Sequence, residues 1–230
     1  MKLKAKVKSI FKSRRTPKSP SKERLAKPAS TALDKTTLQT MLASTYNPTT
    51  PDGNIGKYIE DKTLSDRRTR VYHDPTTKHT VVAHRGSASK QDWVENAMYA
   101  MGFRGGQNYK HARKSQRAAE SKYGTSNLTT IGHSKGALHA QDFGGAGDIV
   151  TLNKPVNLKD VIGYKVPHYQ TDYRGEGDVV SVLRPLQRGK KEVTLTKNKK
   201  SFSRIKNALL RPITSILKEH GTDTLERNEA

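Results

Sequence analysis

Residues Asn127 to Gly144 read NLTTIGHSKGALHAQDFG, and the fold turns on how that stretch divides. Leu128, Thr129, Thr130 and Ile131 form a short strand-favouring run, while Ala137, Leu138, Ala140 and Gln141 favour helix. Between them stands Gly132-His133-Ser134-Lys135-Gly136. A strand is therefore expected to pass into a helix across a sharp turn that carries a serine between two glycines.

Working outward, the flanks alternate in the same way. TTLQTMLASTY places Leu38, Met41, Leu42 and Tyr46 at helical spacing, with Thr36 or Thr37 as the expected cap, and PTTPDGN breaks the pattern. TRVYHDPTTKHTVVAHRG reads as two β runs around a Pro-Thr-Thr-Lys turn, the second ending on Arg85-Gly86-Ser87. Trp93, Ala97, Met98 and Met101 suggest a helix after Asp92, and a strongly basic helix is expected from Tyr109 to Tyr123, ended by Gly124. Downstream, DIVTLNKPV, YKVPHYQTDYRGEGDVVSV and KEVTLTK each supply a strand, and SRIKNALLRPITSILKEHG reads as a helix kinked at Pro212. Strands alternating with helices predict an α/β fold, with helices flanking a mainly parallel sheet. No internal repeat is visible.

Composition separates one end from the rest. Of 43 Lys and Arg in 230 residues, twelve fall between Met1 and Thr36, where the acids are Glu23 and Asp34. That stretch cannot bury enough apolar area to fold and is expected to be a disordered arm over 1–36, followed by a single domain over 37–230. Leu3, Val7, Ile10 and Phe11 would share one helical face, suiting an anionic membrane surface, and KSRRTPK equally suits a nucleic-acid contact or a nuclear address. The net charge of +22 attracts polyanions without choosing among them. There is no cysteine, so disulfides and thiolate chemistry are excluded. No run approaches the ~18 apolar residues of a membrane span, and the start lacks the apolar core of a secretory signal. The expected setting is the cytoplasm, the nucleus or a membrane surface.

The turn has a chemical reading. A serine at the tip of so sharp a bend occupies a strained backbone conformation, and glycines two residues before and after it remove side chains that would strike the neighbouring strand and helix. The hydroxyl is lifted clear of the sheet, and the Lys135 backbone N–H at the helix start can stabilise an oxyanion. The plainer reading is ordinary helix capping by serine.

A nucleophilic serine needs a base, and the base needs an acid to orient it. After Ser134 the histidines are His139, His168 and His220, and the acids weighed are Asp160, Asp172, Glu176 and Asp178. His139 lies five residues along the same helix and points away from the turn, as a surface or packing residue. His168 precedes most of the acids. His220 follows a helix and precedes Gly221, a place from which a loop can reach over the sheet, although a histidine near a helix C-terminus is also favoured by the dipole alone. Asp178 follows a Gly-containing turn at the expected C-terminal end of a strand, where ligand groups collect in open α/β sheets, or is simply a turn residue. A second oxyanion donor is expected after VVAHRG, at Ser87, where the alternative is a simple β-turn.

Together these motifs resemble the class 3, fungal-type lipase family of α/β-hydrolases, over most of Leu38 to Leu225. TLSDRRTRVYHDPTTKHTVVAHRGSASKQDW is similar to that family's strand, Arg-Gly-Thr/Ser loop and following Asp-Trp. LTTIGHSKGALHA is similar to its nucleophile elbow, DIVTLNKPV to its next strand, YRGEGDVVSVL to its acid loop and EHGTDTL to its histidine segment. The resemblance implies an α/β-hydrolase fold with Ser134 as nucleophile, Asp178 as acid, His220 as base, and Ser87 with Lys135 as the oxyanion pair. It implies cleavage of carboxylic esters, acyl lipids above all, with no metal or organic cofactor. Two features depart from it. Lys135 stands where the family has leucine, and the stretch from Trp93 to Tyr123 is basic rather than an apolar flap. The rival expectation is a scaffold without turnover that binds nucleic acid or an anionic surface.

Overall fold

The computed structural model describes residues 33–47, 53–87, 106–145, 147–155, 169–175, 191–196 and 228–229. Eight strands form one sheet in chain order: β1 (Ile59–Glu60), β2 (Thr69–His73), β3 (Thr80–His84), β4 (Leu128–His133), β5 (Asp148–Leu152), β6 (Gln170–Gly175), β7 (Lys191–Thr196) and β8 (Asn228–Glu229). β3 to β7 run parallel, and β1, β2 and β8 are antiparallel to their neighbours. The architecture is therefore the expected mainly parallel α/β sheet. All six residues of β4 and all five of β3 are buried, as strands covered on both faces require.

Three described helices cover the sheet: α1 (Lys35–Ser44), α2 (Gln107–Tyr123) and α3 (Lys135–Phe143). Strand alternation sends side chains to two cores. Leu38, Met41 and Leu42 of α1 pack with Tyr72, Val81, Ala83, Ile131 and Leu152. On the opposite face Ala119 of α2 packs with Val71, Val82 and Leu128. α2 has its apolar residues on one narrow stripe, and Gly124, at φ 78°, ends it where an L-residue would be strained.

The cap of α1 differs from the sequence expectation. Asp34, not Thr36 or Thr37, is the N-cap, and its Oδ1 accepts the Thr37 N–H at 2.8 Å. A carboxylate both accepts that bond and answers the positive helix end, which moves the start of the helix back to Lys35. The β2–β3 hairpin closes as expected, with Asp74 Oδ1 accepting from the Thr76 N–H at 2.9 Å and the Thr77 N–H at 3.3 Å. The helix expected after Asp92, the one containing Pro212 and nearly all of the basic arm lie outside the described residues.

Candidate active site

β3 and β4 are in register, with His84 opposite Gly132, so the loops leaving their C-terminal ends emerge side by side. One carries Arg85-Gly86-Ser87 and the other Ser134-Lys135. Their approach is close enough to dictate glycine at three positions. A Cβ on Gly136 would stand 2.1 Å from the His84 carbonyl oxygen, and one on Gly132 would stand 2.2 Å from the Gly136 carbonyl oxygen. A Cβ on Gly86 would stand 2.9 Å from the Cβ of Ser134. Strand, turn and helix therefore fit only because these side chains are missing.

Ser134 itself sits at φ 56° and ψ −127°, a combination L-residues rarely adopt. An ordinary serine cap has an extended backbone and uses its hydroxyl to bind a helix N–H. Ser134 has neither feature, for its backbone is left-handed and its side chain makes no capping bond. The Ser134 N–H donates to the Leu152 carbonyl at 3.0 Å, and its carbonyl accepts from Ala137 at 2.9 Å, which fixes the turn from both sides. The half-buried serine is followed at once by Lys135, buried in the first turn of α3.

A contact that the sequence did not signal locks the two loops together. The Tyr46 hydroxyl accepts the Gly86 N–H at 3.0 Å and lies 2.8 Å from His133 Nδ1, with the two rings edge to face. Helical spacing had assigned Tyr46 only a packing role. Because Tyr46 takes the Gly86 N–H, any backbone donor this loop offers toward Ser134 has to come from beyond Gly86.

Behind the turn lies a buried polar layer. His84 Nε2 is 3.1 Å from Gln116 Oε1 and Nδ1 is 3.2 Å from Thr69 Oγ1. Burial pushes the His84 imidazole down to about 4, so it is neutral at pH 7. His139 is also buried, ringed by His84, Tyr109 and Phe143, and matches the packing role expected of it. Burial, then the charges of His84, Lys135, Arg68 and His111, hold it well below the usual histidine range. Beside these groups a small pocket opens between the β3 loop and the N-terminal ends of α2 and α3, lined by Arg68, Arg85, Gly86, Asn108, Lys135 and His139.

Of the expected site residues, Ser134, Lys135 and Ser87 are brought together by the paired loops. Asp178 and His220 lie outside the described residues, as do Asp160, Glu176 and His168. Asp172, the one other acid weighed, is buried in β6, where Oδ1 accepts from Thr151 Oγ1 and from Gln170 Nε2. Among the described residues no cluster of His, Asp or Glu is placed to hold a metal ion, and no helix is long and apolar enough to cross a membrane.

Residues 28–141 match the family model of a Tle-like phospholipase domain, described as phospholipase-like. The chain is lipase-like. No curated protein matches it. Solved structures similar to this lipase-like chain include fungal enzymes at low identity. A lipase of Yarrowia lipolytica is 13% identical, with 70% of this chain and 77% of that one covered at a TM-score of 0.46. A triacylglycerol lipase of Penicillium expansum is 18% identical, with 70% and 77% covered at 0.38. A Rhizomucor miehei lipase with its propeptide is 16% identical, with 72% and 68% covered at 0.42. The family match takes in both paired loops and Ser134, and ends before the positions expected to supply acid and base.

Proposed function

We propose that the protein is a serine hydrolase of lipid acyl esters. The observation that carries this reading is the backbone of Ser134, held at φ 56° in a strand–turn–helix by three glycines within the stretch that is phospholipase-like. Strain of this kind is retained where a side chain must be aimed.

In this reading His220 takes the Ser134 hydroxyl proton as Oγ attacks the ester carbonyl, and Asp178 orients the imidazole and offsets its charge. The backbone N–H groups of Ser87 and Lys135 hold the negative oxygen that forms. The imidazolium returns its proton to the leaving alcohol, and water then cleaves the acyl-serine with the same base. No cofactor is required. The basic stretch over 1–36 is proposed to hold the enzyme against anionic lipid, with 37–230 as the catalytic domain.

A serine-reactive fluorophosphonate applied to the full chain tests the reading. Labelling should vanish in Ser134→Ala, and His220→Ala or Asp178→Asn should lower kcat on an acyl ester by on the order of 10^3-fold or more. Absence of labelling and of ester cleavage, alongside tight and salt-sensitive binding of DNA or RNA, would instead establish the scaffold alternative that the charge of +22 suggests.

A further inference from the structure

The pocket beside Ser134 departs from what an apolar ester alone requires. Arg68 from the loop before β2, Arg85 from the loop after β3 and Lys135 from the first turn of α3 all line it. Three cationic side chains thus converge from three separate segments on one small concavity. The first two segments are tied together by the Arg85 N–H, which donates to the Arg68 carbonyl at 2.9 Å. Asp66, close in sequence to Arg68, does not turn its charge to the pocket alone. Its Oδ1 accepts the Arg68 and Thr69 N–H groups at 2.7 and 2.9 Å, and its Oδ2 lies 2.7 Å from His111 Nε2. The charges acting most strongly on His139, in the pocket wall, are all of one sign: His84, Lys135, Arg68 and His111.

We propose that Arg68, Arg85 and Lys135 form a subsite for the phosphoryl group of a glycerophospholipid headgroup. Two guanidinium forks and an ammonium match the several oxygens of a phosphate, and the N-terminus of the nine-residue α3 adds its dipole in the same sense. Position fits as well. Gly86 lines the pocket and packs directly on Ser134, so an anion seated there lies beside the candidate nucleophile. In a glycerophospholipid a short glycerol bridge separates phosphate from acyl carbonyl. Lys135, which replaces the leucine found in fungal-type lipases, thereby acquires a purpose: its backbone serves the oxyanion and its side chain the headgroup.

The role in turnover rests on Ser134 being the nucleophile, but anion binding does not, and the two are separable. Hydrolysis of dioleoyl phosphatidate and of dioleoylglycerol is compared in nonionic mixed micelles at fixed salt, using the full chain. Wild type should favour the phosphate-bearing ester by about tenfold or more in kcat/KM. Arg68→Gln should lower that preference about tenfold while leaving the neutral ester unchanged, Arg68→Lys should keep most of it, and Lys135→Leu should lower it as well. The basic arm is common to every variant, so its attraction for anionic micelles cancels. Independently of turnover, sn-glycerol 3-phosphate should bind wild type and not Arg68→Gln, as read by phosphorus NMR.

An unchanged preference in both Arg68→Gln and Lys135→Leu would overturn the subsite. If no ester is cleaved at all, glycerol 3-phosphate binding lost in Arg68→Gln upholds the anion site while the hydrolase reading fails, and no binding overturns both. Inorganic phosphate bound as tightly as glycerol 3-phosphate, with a flat headgroup preference, would assign the pocket to free phosphate and overturn the headgroup role.

Discussion

Ser134 holds a backbone conformation that glycine adopts without strain and serine does not. Residues kept in such regions cost on the order of 1–3 kcal/mol each. Replacing Ser134 by glycine removes that cost but adds freedom to the unfolded chain, worth roughly 0.5–1 kcal/mol in the other direction. Ser134→Gly should therefore be more stable than Ser134→Ala by about 1 kcal/mol, although both lose the hydroxyl. Urea midpoints of the two variants decide it. Equal stability, or a less stable glycine variant, would mean that the turn is relaxed and that nothing is being held in tension at the serine. This feature was legible in the sequence, because Gly132 and Gly136 bracket the serine and each would collide with backbone if it carried a Cβ. Tyr46 was not legible. Its hydroxyl joins Gly86 to His133 across segments far apart in the chain, and no local pattern encodes such a meeting.

At the scale of elements, α2 is held to the sheet by one polar crossing as well as by its apolar stripe. Gln116 Oε1 accepts from His84 Nε2, while its Nε2 donates to Thr130 Oγ1 and to Glu120 Oε1, both at 3.0 Å. Gln116, His84 and Thr130 are all buried, so removing the amide strands partners that water cannot reach. Gln116→Leu should cost about 1–3 kcal/mol in chemical denaturation despite adding apolar volume. A neutral or stabilising result would show that the layer tolerates an apolar core. Periodicity found α2 because Ala112 and Ala119 alternate with exposed lysine and arginine, and it found the β2–β3 hairpin because apolar runs flank a Pro-Thr-Thr turn. It misplaced the cap of α1. DKTT offers three capping residue types in four positions, and the carboxylate prevailed over the hydroxyls because it also answers the helix dipole. The acid and base were read from spacing and family resemblance alone. Which loops converge over a sheet is a property of long-range closure, and the run from Asp178 to His220 carries no local signal that specifies it.

Across the whole molecule, the buried histidines make the fold sensitive to mild acid. His84 is fully enclosed and its imidazole is lowered from the usual 6.5 to about 4, chiefly by burial, with Gln116 and Asp66 opposing the shift and His111 reinforcing it. His139, whose ring lies 6.2 Å away, is lowered as well. At pH 7 and above both states are neutral and the shift contributes nothing. As pH falls below 6.5 the unfolded chain takes up protons that the folded chain refuses, and stability falls until His84 itself protonates near pH 4. Over that window a shift of this size corresponds to about 3 kcal/mol for His84 alone. The paired carboxylates act lower on the scale. Asp61 is raised by burial, but bonds from Lys122, Thr63 and Tyr123 outweigh this and hold it below the usual carboxylate range, so its contribution is lost only in stronger acid. Unfolding free energy followed by urea at steps from pH 7.5 to 4 should therefore drop before the carboxylates titrate. In His84→Gln, which keeps a hydrogen-bonding side chain toward Gln116 and Thr69, the drop should shrink by about 3 kcal/mol. An identical pH dependence in the two proteins would mean that His84 accepts its proton inside the fold, and that the layer behind Ser134 is wetter and more polar than its burial implies.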